Sequence, residues 1–246
     1  MKLPSLREAL LKASQVSDVV LRQLLFANLR AAHRFGGFSS IPFPVLETRV
    51  ASGEKGANSF KRLEAVLSRM PADARQVVDI GSNNGFFSIA LGKRGYDVIG
   101  YEPYAAFARG ARQICERFQI TNVSFFVKPL DPSSSRDVFD CDVSLVLSVY
   151  HNWVKQYGFE GANEILRNIW SRTRKLMFFE LASTLDNQYI AGFETMPRMG
   201  ATDEECRAFM EREILGGLSG GKIEFVGMMP TDYVNGRARH FFVVRR

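Results

Sequence analysis

The chain has 246 residues, 46% of them hydrophobic and 24% charged, with a net charge of +6 and a pI near 9.3. That is enough apolar material for one domain of ordinary size, and no apolar run reaches the ~18 residues of a membrane-spanning helix. Cys115, Cys141 and Cys206 stand far apart, which argues against paired-cysteine zinc sites and a disulfide framework, and fits reduced thiols in a cytoplasmic enzyme.

The basic balance favours an anionic partner: a phosphate, a polyanionic glycan, nucleic acid or an acidic membrane face. It equally suits an enzyme that is basic for no functional reason. Arg7 and Glu8 interrupt the N-terminus, which does not read as a signal peptide.

Residues 3–35 carry Leu10, Leu11, Val20, Leu21, Leu24, Leu25 and Leu29 at roughly helical spacing. Arg7, Lys12, Arg22, Arg30 and Arg34 make the other surface basic. A helix packed on the core or at a dimer contact is the first expectation. A lid, or a peripheral contact with an anionic membrane, comes second. Residues 35–57 lack periodicity and hold Pro42 and Pro44, as a linker would. The expected division is therefore a helical cap and linker over 1–57 and a second domain over 58–246. Ser59 is placed to N-cap a helix that buries Leu63, Val66 and Leu67 and stops at Pro71. Lys61 and Arg62 read as a solvated face of it.

From there strands and helices alternate. The pattern predicts strands at 77–80, 97–101, 123–127, 143–147 and 175–179, with helices at 86–94, about 104–118 and about 161–171. A long polar and helical stretch, 187–215, precedes strands at 223–228 and 240–244. Alternation of this kind gives a parallel sheet. The last two strands lie close enough in sequence to pair as an antiparallel hairpin.

The most informative stretch runs from Val77 to Pro103. An apolar strand ends in Asp79-Ile80-Gly81, the turn-rich Ser82-Asn83-Asn84-Gly85 follows, and a helix leads to a second strand ending on Glu102. Strand, tight loop, helix, strand and acid is the plan of a nucleotide-binding α/β half. A terminal carboxylate has two oxygens with which to accept both ribose hydroxyls. The spacing Gly81-x-x-x-Gly85, followed by Phe86 and Phe87, lacks the third glycine of a dinucleotide site, so NAD is a poor fit.

Asp79 to Gly85 closely resembles motif I of the class I S-adenosylmethionine-dependent methyltransferases, with Asn83 in place of the middle glycine. Asn accepts positive φ better than most residues. The resemblance implies a Rossmann-like α/β fold, a seven-stranded mostly parallel sheet with an antiparallel last strand, behind the N-terminal helical cap. It implies S-adenosylmethionine (SAM) as cofactor, with S-adenosylhomocysteine (SAH) as product. It places Asp79, Gly81, Ser82, Asn83, Gly85, Phe86, Glu102, Pro103, Asp131 and Ser148 around the cofactor, with Glu102 on the ribose and Asp131 on the adenine amino group. On this pattern a helix before the first strand brings basic residues, here Lys61 or Arg62, near the methionine carboxylate.

The residues after the fourth strand, Ser148-Val149-Tyr150-His151-Asn152-Trp153, face the acceptor in that family. His151 is a candidate general base, because an unperturbed imidazole titrates near neutrality. Tyr150 and Glu180 are the other catalytic candidates. Trp153, Tyr233 and Arg237 are expected at the acceptor, where arginine suits a phosphate or carboxylate. The family's Pro-Gly-Gly turn before strand five is replaced by Ser171-Arg172-Thr173-Arg174. Residues 148–153 and 178–182 also resemble bacterial methyltransferases of surface-polysaccharide ends, some of which act on phosphate.

The expected activity is O-methylation of a small-molecule, glycan or phosphate-bearing acceptor, without a metal. RNA methylation is the alternative, supported by charge but lacking the Asn/Asp-Pro-Pro-aromatic tetrapeptide of base amino-group methylases. A cofactor-binding scaffold without turnover is the third reading.

Overall fold

A computed structural model describes residues 57–185, 196–230 and 238–246. The expected N-terminal cap, most of its linker, Tyr233 and Arg237 lie outside the described residues.

The elements run α1 (Ala57–Leu67), β1 (Gln76–Ile80), α2 (Phe86–Gly92), β2 (Asp97–Glu102), α3 (Ala105–Arg117), β3 (Val123–Val127), β4 (Cys141–Leu147), α4 (Tyr150–Ser171), β5 (Thr173–Leu181), α5 (Asp203–Phe209), β6 (Lys222–Met229) and β7 (Arg239–Arg245). The strands form one seven-stranded sheet in the order β3-β2-β1-β4-β5-β7-β6. β1 to β5 run parallel, and β7 lies antiparallel between β5 and β6. The mostly parallel sheet with one reversed strand is as expected. The hairpin strands β6 and β7 cross over, so that β7 is the inner one.

Central strands buried on both faces read as continuous apolar runs rather than alternation. β1 buries Val77, Val78 and Ile80, and β4 buries Val143, Leu145 and Val146. Asp142, at the amino end of β4, accepts the backbone N–H of Arg75 at 2.8 Å and of Gln76 at 3.1 Å, and so pins β1 beside it.

Three elements differ from expectation. α4 begins at Tyr150, not near Gly161, and is broken at Gly158 (φ 72°, ψ 175°). Its first segment is too short to show a helical period in sequence. Ser59 lies inside α1 rather than capping it, and its hydroxyl accepts from Arg62 at 2.8 Å. The polar stretch before β6 contains the short helix α5, capped by Thr202, whose hydroxyl accepts the Glu205 N–H at 3.2 Å. A π-turn and a 3₁₀ turn follow α5, residues 196–202 before it are irregular, and residues 186–195 are not described.

β3 is an edge strand, and the link from β3 to β4 holds only a 3₁₀ turn, Ser134–Asp137. Phe126 and Phe139, 40% and 50% exposed, therefore lie partly open beside Tyr101, whose ring stacks on Phe126.

Candidate active site

Parallel sheets bind ligands at the carboxyl ends of their strands. At the end of β1 the chain turns through Gly81 (φ 72°), Asn83 (φ 52°) and Gly85 (φ 81°). The N–H groups of Gly81 and Ser82 both donate to the Tyr101 carbonyl, at 2.8 and 3.0 Å, which ties the loop to β2. Asn83 takes the left-handed conformation expected of it, and its side chain accepts the Asn84 N–H at 2.8 Å.

Glu102 ends β2, buried. Its two oxygens accept the N–H groups of Asn83 and Tyr104, each at 2.8 Å. Each oxygen keeps a further lone-pair direction for a ligand hydroxyl. Burial pushes the pKa of this carboxyl up to about 7. Ser82, also buried, has a hydroxyl oxygen with no hydrogen-bond partner. A loop of left-handed residues, a buried acid aimed across it and an unsatisfied hydroxyl fit a nucleoside with a ribose diol.

Asp79 and Phe86, at either end of this loop, are both buried. The Asp79 carboxylate accepts the Ser88 hydroxyl at 2.6 Å and so holds the start of α2 to β1; burial raises its pKa to about 6. The Phe86 ring is buried, edge-on to Phe60 and Phe87. Both support the loop from the core. Pro103 is exposed just after Glu102. Asp131 closes a turn with Ser134, accepting its N–H at 2.7 Å while the Ser134 hydroxyl accepts the Asp131 N–H at 3.0 Å.

A second polar cluster sits at the ends of β4 and β5. Ser148 is left-handed (φ 59°), unusual for a residue with a side chain. Its hydroxyl donates to Glu180 Oε1 and accepts from Arg239 Nη1. The same Oε1 receives Arg62 at 3.2 Å and Arg239 at 3.5 Å. Glu180, Arg239 and Arg62 are 0%, 2% and 6% exposed. Four elements, α1, β5, β7 and the turn after β4, thus converge on one carboxylate.

His151, in the first turn of α4, is buried, and that burial, with the Arg239 charge, depresses its pKa to about 3. The expectation of an imidazole titrating near neutrality is not met. Tyr150 and Trp153 belong to the core. Tyr150 is fully buried, donates to Asn163 at 2.7 Å and lies edge-on to Trp153 and Phe179. Burial pushes its phenol pKa up.

Arg62, expected on a solvated helix face, is buried, and so is Arg239 at the start of β7. A signal existed for Arg62, which stands four residues before Val66 and so on its face of the helix. None existed for Arg239, because β7 is buried on both faces.

No family model matches the sequence, and no curated protein matches it. Solved structures do. WbdD, described elsewhere as a bifunctional kinase-methyltransferase, aligns with a TM-score of 0.64 at 19% identity over 84% of this chain. This chain spans only 43% of the WbdD chain. Magnesium protoporphyrin IX methyltransferase from Synechocystis PCC 6803, solved with bound SAH, aligns with a TM-score of 0.56 at 18% identity over 90% of this chain and 93% of that one. The N-terminal domain of EvdMO1 with SAH bound gives a TM-score of 0.51 at 16% identity, over 76% of this chain and 79% of that one. The fold of the chain is the Rossmann-like fold of the class I methyltransferases.

Proposed function

We propose that the chain is a SAM-dependent methyltransferase that modifies an oxygen of a small-molecule, glycan or phosphate-bearing acceptor. One observation carries the reading: Glu102, held by two backbone N–H groups at the end of β2, faces the left-handed loop at the end of β1. Glu102 would accept the ribose hydroxyls, and Gly81 to Gly85 would let the backbone close on the nucleoside. The cofactor supplies a methyl group already activated on a sulfonium. The chain's part is then chiefly to hold the acceptor in line and keep water out.

Order across the sheet supports the placement of the acceptor. A nucleoside over β2 and β1 directs its far end toward β4, and Ser148, His151 and Glu180 lie there or one strand beyond. At ordinary pH the depressed pKa leaves His151 neutral, able to orient an acceptor and weak as a base.

Calorimetric titration with SAH, with NAD as control, tests the reading. Micromolar binding of SAH and none of NAD is expected. Failure of SAH to bind, or equal binding of NAD, rejects it.

A further inference from the structure

Glu180 is bound one-sidedly. Ser148, Arg62 and Arg239 all address Oε1. Oε2 is closed off from solvent and has no hydrogen-bond partner. A buried acceptor left without a donor is costly, and more so when charged. In native proteins such an oxygen calls for an explanation, of which a catalytic role is one. The rest of the side chain is over-determined: three donors on the first oxygen fix the direction of the second. The strained Ser148 backbone belongs to the same arrangement, since its hydroxyl both donates to Glu180 and accepts from Arg239.

The position is specific. Glu180 pairs with Leu147 across the β4–β5 register, and its carbonyl accepts the Ser148 N–H at 2.9 Å. It therefore stands beside the turn that borders the expected path of the methyl group, on the side away from Glu102.

We infer that Glu180 Oε2 receives the hydroxyl proton of the acceptor, with Ser148, Arg62 and Arg239 as positioning residues, so that the acceptor is an un-ionised alcohol or phenol. The inference rests on the methyltransferase reading above and deepens it. Glu180 takes the proton as an oxygen lone pair forms the new O–CH₃ bond and the C–S bonding pair stays on sulfur. Proton loss is helped by bond formation, because an oxygen gaining a methyl group becomes strongly acidic, so a carboxylate suffices to receive the proton. An ionised phosphate or carboxylate oxygen has no proton to place against Oε2 and is repelled there.

Sinefungin tests this without knowledge of the acceptor, since it carries an amine where the transferred methyl group would stand. Calorimetry would compare sinefungin with SAH on the wild-type chain, Glu180→Gln and Glu180→Asp. The Asp variant keeps the charge between the two arginines and guards against misfolding of the Gln variant. Wild-type protein should prefer sinefungin by about tenfold or more, as a charged hydrogen bond would give. Either substitution should reduce the preference to about twofold or less while SAH affinity stays within about threefold of wild type. Equal wild-type affinities, or a preference that survives in whichever variant folds, overturns the inference and leaves the methyltransferase reading standing. Binding of neither ligand to the wild-type chain overturns both.

Discussion

Val149 Cγ2 lies 3.2 Å from the point that a Cβ on Gly81 would occupy. The turn after β4 thus bears directly on the loop after β1. A side chain at Gly81 meets protein before it meets any ligand, and it meets it at φ 72°. Gly81→Ala should cost roughly 1–2 kcal/mol for the left-handed backbone alone and weaken SAH binding. Val149→Ala in the same chain should restore part of the lost affinity. A double-mutant cycle read by calorimetry checks this, and strictly additive effects refute the contact.

If Glu102 holds the ribose as proposed, its pKa, raised by burial to about 7, should set the pH dependence of SAH binding. Between 4.5, its ordinary value, and about 7 the folded chain holds a proton there that an unfolded chain has lost. The ionised form is the better acceptor of two ribose hydroxyls, so binding releases that proton. SAH affinity should rise with pH and level off above about 7. The sign for stability is opposite: this group's contribution is fully present below 4.5 and is lost as pH rises through about 7. Titrations across this range should show the rise, and Glu102→Gln should weaken binding and flatten it. A pH-independent wild-type affinity contradicts the ribose assignment.

His151 should stay neutral across the physiological range, because burial and Arg239 hold its pKa near 3. NMR titration of its ring protons, assigned by loss of signal in His151→Gln, should show no inflection between about pH 5 and 8. With the folded pKa below the ordinary 6.5, the contribution of His151 to stability is complete above 6.5 and is lost as pH falls toward 3. An inflection near neutrality would return His151 to the role of general base.

Arg112 guards the open edge of the sheet. Asn122 accepts from Val98 and Lys128 donates to Glu102, so the even-numbered residues of β3 pair with β2 and the carbonyl of Phe125 points away. Arg112 donates to that carbonyl at 2.5 Å. Edge strands with free backbone groups and apolar residues invite strand addition, and Val123-Ser124-Phe125-Phe126-Val127 carries no charge or proline. Arg112→Ala should change the melting temperature little and speed aggregation on warming, as followed by light scattering. Unchanged aggregation would show that the edge needs no guard.

The left-handed loop and the acid beside it were legible because their determinants are local. Gly81, Asn83 and Gly85 announce left-handed backbone by residue type, and the distance from that loop to Glu102 is set by one helix and one strand. The acceptor half was not. Tyr150, His151 and Trp153 stand after the fourth strand, where the acceptor was expected, yet all three are buried in a helix whose period is broken by Gly158. Whether an aromatic at a strand end faces a ligand or the core depends on where the next helix starts.

The sequence by itself determined the alternation of strands and helices, the glycine loop and the acid that answers it. Those follow from periodicity, backbone sterics and short spacing, all of which act within ~30 residues. Only the tertiary structure decided that Arg62, Ser148, Glu180 and Arg239 meet. The ion pair between Arg62 and Glu180 joins residues 118 positions apart, and Arg239 stands 59 beyond Glu180. Arginine and glutamate in isolation read as surface charges. They are buried here because each neutralises and orients the other, a property of the pair in space that neither position carries alone.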